Sequence, residues 1–523
     1  MNGSITNLWA EKGKKILHEK KVNTDELMKK YQNIYFPWSN EYEKERQYFS
    51  LKIQQRPLII IKAINVNELE SILDYVKSKN LTIRICGGRH STQLLSPEVL
   101  VDTTEFSEIS IKDDTLIVGG GVRQGRANDF LFNEFQDDKK QELYSHFGKY
   151  SYGRTSSFPG GSAQSVGISG ISTVGGIGVL RRTYGLTVDS IKSFRITLPP
   201  TQTDDAKTVI VSNPAHNKKL ARKTRKQNSH SELFWALCGG GGNNFGIISQ
   251  ISYAIEVVSQ VIEYTITWKN IDFTNEAHIP FIKQIINLWV ENTQLLENEY
   301  TEELDIFNNG KGCGIEMVGF YVVPIEPNSE GTSRTIGNEA RERIKIKMTY
   351  LTNIMNGKIT FKDTNKYSDM YREMVNNRVY HNFSIIQGVF TDTIDADMYI
   401  KFVLDGSKLK GSCYFAIEAM GGKIKEGNTG CFAFRNSKFF INLNSAWEDL
   451  EESQYFEKYC NTATNTLLST ASGAYLGFPI SFDDIHVPNS IYYGGQENYA
   501  KLQRIKGKYD PLNILTYSGT IKK

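Results

Sequence analysis

From Arg56 the chain reads RPLIIIKAINVNELESILDYVKSKNLTIRIC, in which the spacing of apolar residues changes twice. An unbroken apolar run predicts a strand. Leu69, Ile72, Leu73 and Val76 at three-and-four spacing predict a helix, and the alternating IRIC predicts a second strand. EVLVDTTEF adds a strand, and TLIVGGGVRQGRANDFLF a strand, a glycine turn and a helix. ELFWAL, carrying Leu233, Phe234 and Trp235, predicts a helix that runs into Gly239–Gly242 and then a strand. Beyond residue 258 the glycine clusters thin out. VIEYTITW, EMVGFYVV, YFAIEAMGG and KFFINLNSAW read as strands, set among helical stretches at Asn275–Asn298 and Asn338–Met355. That mixture predicts an antiparallel sheet with helices, an α+β arrangement. The final YYGGQENYAKLQRIKGKYDPLNIL reads as loop, helix and a Pro-stopped turn.

A chain of 523 residues has room for two or three domains with large cores. Its net charge of +3 makes no global case for nucleic acid or an anionic membrane. The tightest basic run, from Lys218 to Lys226, lies in a polar stretch and reads as a solvated loop. The six cysteines lack CxxC spacing, which argues against a zinc ribbon or a dithiol redox pair, and no metal site is expected. The amino terminus reads as a charged amphipathic helix rather than a signal peptide, and no run approaches the roughly 20 apolar residues that span a bilayer. A cytoplasmic protein, or one secreted after processing, is the expectation.

RICGGRHS, from Arg84 to Ser91, delivers a strand into two glycines and then His90, so the imidazole follows a loop able to approach a flat ligand closely. A covalent tether to a cofactor is one reading of His90; an ordinary loop histidine is the other. Glycines then crowd the segment from Phe158 to Pro199, at positions too frequent for a helix interior and too interleaved with Val, Ile and Ser for a linker. Main-chain amides wrapped around a ligand is one interpretation, tight turns in a sheet the other. Neither GxGxxG nor GxxxxGK[ST] occurs, so Rossmann and P-loop readings are disfavoured.

The ordered series RICGGRHS, VGGGVRQG, GGSAQSVGISG with GGIGVLRRTYGLTVDSI, ELFWALCGGGGNNFGII and YYGGQENYAKLQRIKGKYDPLNI resembles the berberine-bridge-enzyme-like, vanillyl-alcohol-oxidase type of FAD-linked oxidoreductases. The resemblance spans about residues 55 to 520. It implies an α+β fold with a two-part FAD-binding domain of the PCMH type and an inserted substrate domain built on an antiparallel sheet covered by helices. The implied division is an N-terminal helical extension (1–54), an FAD domain (55–258), a substrate domain (259–484) and a C-terminal segment (485–523) returning to the FAD domain. His90 falls where the family joins its imidazole to the flavin 8α-methyl. Ala163 stands where many members carry a second, cysteinyl link, so a single attachment is implied, with Cys86 read as a buried hydrophobe.

Further cofactor contacts implied by the match are Gly87, Gly88, Arg89, Ser91, Gly161, Ser162, Val166, Gly167, Ile168, Gly170, Gly175, Gly176, Gly178, Gly246, Ile247 and Asn498. Ile168 occupies a position where a smaller valine accompanies fast reaction with oxygen, which leaves the acceptor open between O2 and another molecule; a well-filled core position is the competing reading.

Hydride transfer from an alcohol carbon needs a base for the hydroxyl proton. Glu418 in FAIEAMGG faces away from Ile417 and Ala419 if that segment is a strand, and is the first carboxylate candidate. Asn442 replaces the family's Gln or Glu and can orient a hydroxyl without serving as a base. Tyr475 matches the first tyrosine of the AYxNYxD segment and would accept a proton if its pKa were lowered; the second tyrosine of that pattern is Phe478 here. Tyr152 and Tyr184 read as wall rather than catalyst. The implied function is oxidation of a hydroxyl on a carbohydrate or secondary metabolite, with small-molecule substrate and electron acceptor as partners. Oxidative cyclisation, carbon–nitrogen oxidation, or flavin binding without turnover are the alternatives.

Overall fold

The computed structural model describes residues 2–91, 98–134, 155–215, 230–241, 244–258, 260–324, 333–362, 367–376, 381–480, 488–516 and 520–523. The Lys218–Lys226 run, Tyr152 and Gly242 lie outside the described residues.

The apolar runs from Arg56 become β2 (Ile59–Lys62), β3 (Ile83–Cys86) and β4 (Val99–Asp102), joined by β1 (Ile34–Tyr35) from the segment read as a helical extension, in spatial order β1-β2-β4-β3, with β4 parallel to both of its neighbours. The helix Val66–Ser78 crosses from β2 to β3 and buries Leu69, Ile72, Leu73 and Val76, the predicted face. Each such side chain contributes about 1.5–3 kcal/mol. Asn65 caps the helix by accepting from the Glu68 amide at 2.9 Å.

Next come β5 (Ile109–Lys112), β6 (Thr115–Gly119), β7 (Thr155–Ser157), β8 (Ile191–Leu198), β9 (Lys207–Ser212), β10 (Ile247–Ala254) and β11 (Glu256–Val258). β7 and β11 pair as a ribbon, and the others form an antiparallel sheet in the order β5-β6-β10-β8-β9. The glycine-rich segment packs above this sheet. So does the C-terminal helix Gln496–Tyr509, whose Tyr499, Leu502, Ile505 and Tyr509 share a core with Leu116, Phe194 and Leu233. Leu515 bridges in parallel to Ile83, which brings the end of the chain back beside β3.

The remainder is an eight-stranded antiparallel sheet of β12 (Val261–Thr267), β13 (Tyr300–Asn308), β14 (Cys313–Val322), β15 (Lys358–Phe361), β16 (Phe383–Thr391), β17 (Ser412–Ala419), β18 (Phe439–Trp447) and β19 (Ala471–Ala474), in the order β15-β12-β14-β13-β17-β18-β16-β19. Period-two alternation gives this sheet two unlike faces. Ile266, Leu304, Ile306, Met317, Phe415, Ile417, Ile441 and Leu443 pack beneath the helices Ile279–Thr293, Ala396–Gly406 and Ser453–Leu468. The intervening residues face the glycine-rich half. The stretch read as one helix over Asn338–Met355 divides into Ser333–Lys347 and Thr349–Thr352.

Two adjacent arginines stitch the halves together. Arg181 donates to the carbonyls of Ala419 (3.1 Å) and Glu302 (3.3 Å), and Arg182 to those of Tyr300 (2.6 Å), Leu296 (2.9 Å) and Met420. Both are buried. A planar guanidinium can satisfy several carbonyls at once, which is what allows a charge to sit at this depth.

Candidate flavin site

A cavity of about 510 Å³ lies between the glycine-rich half and the open face of the large sheet. That volume is typical of cofactor and small-molecule sites. One wall is the loop after β3: Gly87, Gly88, Arg89, His90 and Ser91 all line it. Arg89 sits in the left-handed region at φ 58°, unusual for a side-chain-bearing residue, and its guanidinium is anchored by Asp102 and by the carbonyls of Glu45 and Gln47. Strain held in place by surrounding contacts is what a positioned loop requires. His90 stacks on Phe49 with ring centroids 4.3 Å apart and planes 22° from parallel, while the Phe49 amide donates to the Arg89 carbonyl at 3.1 Å.

The second wall comes from the glycine-rich segment. Gly161, Ser162, Ala163, Val166, Gly167, Gly170 and Gly178 line the cavity, with Gly246 beyond them. Gln124 holds this wall through the Gly161 amide (2.9 Å) and the Ala163 carbonyl. Gly88 and Gly167 touch main chain to main chain: a Cβ on either would collide with the other's backbone nitrogen. At Gly170 the reverse holds. It lines the cavity, and nothing lies within 4 Å of the position a Cβ would take. The cradle is kept open by the absence of side chains, which suits a large planar group approached by main chain on one side. Gly170→Leu is therefore expected to fold and to lose about tenfold or more of its flavin at limiting cofactor, because overpacking costs about 1–3 kcal/mol. The ratio of flavin to protein absorbance after purification checks this.

The third wall is the open face of the large sheet. Phe440, Asn442 and Asn444 alternate into the cavity from β18, and Glu418, Glu303, Val318, Phe320 and Glu263 join them from β17, β13, β14 and β12. Glu418 forms an ion pair with Arg181 at 3.1 Å. Asn442 presents a buried Oδ1 with no hydrogen-bond partner. Tyr475 and Phe478 close the corner, with their rings perpendicular at a centroid distance of 5.4 Å.

Tyr475 does not fit the expectation of a lowered pKa. Burial pushes the phenol up, nearby Glu418 adds to this, and the Gly176 and Ile177 amides oppose it only in part. The neutral phenol is the resting form, a hydrogen-bond donor rather than a waiting base.

Five of the implied cofactor contacts lie off the cavity wall. Ile168 is fully buried in the core, and its amide donates to the Val122 carbonyl at 2.9 Å. Ile247 is buried in a second core, beside β3 and β4. Gly175 and Gly176 adopt φ of 110° and 76° to make the turn whose carbonyls accept from Val188 and Thr187. Asn498 donates to the Tyr493 carbonyl at 3.1 Å. Tyr184 spends its hydroxyl on the Val257 carbonyl, a packing role. Cys86, which also lines the cavity, has its thiol pushed up by burial, in keeping with a hydrophobe.

The arrangement has parallels among known proteins. Residues 475–522 match the family model described as berberine and berberine like. A FAD-linked oxidoreductase of Bacillus subtilis (strain 168) is 25% identical over 501 residues, covering 92% of this chain and 94% of that protein. In sequence the chain is similar to the berberine-bridge-enzyme-like FAD-linked oxidoreductases. The fold of this family extends over the whole chain. A chitooligosaccharide oxidase superimposes with a TM-score of 0.71 at 18% identity, covering 98% of this chain and 99% of the other. Xylooligosaccharide oxidase from Myceliophthora thermophila C1, in complex with xylobiose, does so at 0.70 and 17%, covering 95% and 98%. That similarity implies FAD as the cofactor, and the glycine cradle fits such a group. Among the described residues no helix is long and apolar enough to cross a membrane, and no group of three or more His, Cys, Asp or Glu could hold a metal ion.

Proposed function

We propose that this oxidoreductase removes a hydride from a hydroxyl-bearing carbon of a carbohydrate or comparable metabolite, with FAD attached through His90 alone. Residues 55–258 and 485–523 form the FAD half in this reading, and 259–484 the substrate half. The observation that carries it is a single cavity with the His90 loop on one wall and Glu418, Asn442 and Tyr475 on the others. The similarity to oligosaccharide oxidases supports a sugar-like substrate.

When bound, FAD supplies the acceptor for the hydride and hands the electrons on to O2 or another acceptor. His90, whose imidazole stacks on Phe49, would hold it through a covalent bond. Gly170 would leave room for main chain to come close to it, and the Gly88–Gly167 contact would hold the two walls together around it. Glu418 takes the hydroxyl proton, Arg181 steadying the carboxylate. The unpartnered Asn442 Oδ1 receives a hydroxyl of the substrate and orients it. Tyr475, neutral, donates to a substrate oxygen.

Acid precipitation of the purified protein is expected to leave the yellow colour in the pellet, and His90→Ala is expected to release it to the supernatant. Colour that stays bound in His90→Ala defeats the single tether. Anaerobic exposure to a panel of sugars and other alcohols is expected to bleach the flavin; a panel of amines that bleaches it while no alcohol does would shift the reading to carbon–nitrogen oxidation.

A further inference from the structure

Resting on the reading of this cavity as an FAD site, we infer that Tyr48 binds the cofactor, its hydroxyl donating to a phosphate oxygen of the dinucleotide. The phenol belongs to a strap, residues 45–52, that crosses from the His90 loop to the large sheet. On one side the Phe49 amide donates to the Arg89 carbonyl at 3.1 Å, and the Arg89 guanidinium donates in return to the carbonyls of Glu45 and Gln47. On the other side the Leu51 amide donates to the Asn382 carbonyl at 2.9 Å, and Ser50 Oγ accepts from the Ser384 amide of β16 at 3.2 Å. Tyr48 is therefore pinned from both directions.

Its hydroxyl takes no part in that anchoring. Tyr48 is 8% exposed, lines the cavity, and keeps its Oη buried without a hydrogen-bond partner. An orphaned buried hydroxyl is costly, so a strap that holds one at the cavity wall calls for an acceptor from outside the chain. The groups around it say what that acceptor is. Burial pushes the phenol well above its usual range, the Cys86 thiol and Asp102 add to this, and the Arg84 and Arg89 guanidinia oppose it. A phenol so placed stays protonated and donates. The carboxylates beside Arg89 are engaged: Asp102 pairs with it and accepts from the Thr104 amide at 2.8 Å and hydroxyl at 2.6 Å, while Glu45 pairs with Lys62 at 2.6 Å. Arg84, 2% exposed, lines the cavity with Gly87 and Gly88 and donates to Ser91 Oγ at 3.3 Å. Guanidinia and a phenol beside a glycine turn favour an anionic oxygen over a neutral hydroxyl. In FAD the anionic oxygens are those of the pyrophosphate.

The test adds Tyr48→Phe, which deletes the hydroxyl and keeps the ring, to the full-length His90→Ala protein prepared flavin-free from riboflavin-starved cells. Both proteins are titrated with FAD, with ADP, which has the pyrophosphate without the flavin ring, and with riboflavin, which has the ring without the phosphates. Tyr48→Phe is expected to weaken FAD and ADP about three- to tenfold and to change riboflavin by less than about twofold. The flavin-free melting temperature is expected to hold or rise, because a hydroxyl without a partner adds nothing to the fold. A lower melting temperature would mark the hydroxyl as structural and overturn the inference. So would FAD or ADP binding that changes by less than about twofold, or riboflavin weakened as much as FAD. Failure of the underlying reading looks different: neither protein would take up FAD at all, whereas equal uptake by both leaves the FAD site standing without Tyr48.

Discussion

Lys506→Met, with Asp510 left in place, is expected to destabilise the protein by about 3–5 kcal/mol, the usual cost of leaving a buried charge without its partner. The pair is fully buried, at 0% side-chain exposure for both residues. Lys506 Nζ lies 2.5 Å from Asp510 and also donates to the carbonyls of Leu515 (2.7 Å) and Asn244 (2.9 Å). Asp510 in turn accepts from the Ile514 and Leu515 amides, both at 2.9 Å. Removing the ammonium strands the carboxylate and two carbonyls together, which is why the effect exceeds that of an ordinary surface ion pair. The network ties the C-terminal helix to the turn before β10, and Gly246, two residues beyond Asn244, lines the flavin cavity. Chemical denaturation should show the loss as a lower midpoint. Lys506→Met combined with Asp510→Leu should recover part of it, because the orphaned charge is then gone.

That network was not legible in YAKLQRIKGKYDPLNI, where Lys506 and Asp510 look like members of a charged helix face. Their burial is decided by where the end of the chain docks, a tertiary fact. The reading did better wherever local periodicity and core-facing periodicity coincide. The helix Val66–Ser78 buries the four residues its spacing selected, and the strands VIEYTITW, YFAIEAMGG and KFFINLNSAW appear as β12, β17 and β18. β13 escaped notice because YTEELDIFN carries acids on the face that turns to the cavity, so its pattern resembled a solvated segment. β16, FSIIQGVFT, was passed over despite its apolar residues.

The site divides along the same line. His90 and most of the glycine wall were visible because glycine clustering is a local signal, and they line one cavity. The wall supplied by Tyr48 and Phe49 was missed, since the first 54 residues read as a helical extension. In the structure that segment also contributes β1 and bridges toward β16, where Ser50 Oγ donates to the Ser384 carbonyl at 3.3 Å. Arg181 and Arg182 carried a usable signal, two arginines embedded between apolar and glycine residues in GIGVLRRTYG, a context in which long cations are buried only when they bind carbonyls or acids. The lowered pKa imagined for Tyr475 failed for a reason no motif contains: the flavin-side corner is sealed by Phe440 and Phe478, and burial penalises a phenolate.

If the substrate is oxidised at a hydroxyl and Glu418 takes its proton, as proposed, Glu418→Gln is expected to slow anaerobic flavin bleaching by about 10²–10⁴-fold, the range that a positioned general base supplies. Glutamine keeps the size and one acceptor oxygen, so the cavity and the flavin should be retained. It cannot take up the proton, and it exchanges the ion pair with Arg181 at 3.1 Å for a weaker neutral contact. A rate loss at saturating substrate, with substrate affinity changed much less, is the signature of an interaction realised in the transition state. Stopped-flow bleaching across a range of pH values separates the two acids of the cross-strand pair. If Glu418 is the base, Glu418→Gln removes the acid limb of the parent rate profile. A variant that reduces its flavin as fast as the parent excludes Glu418 and moves the assignment to Glu303, which lines the same cavity directly across the strand boundary.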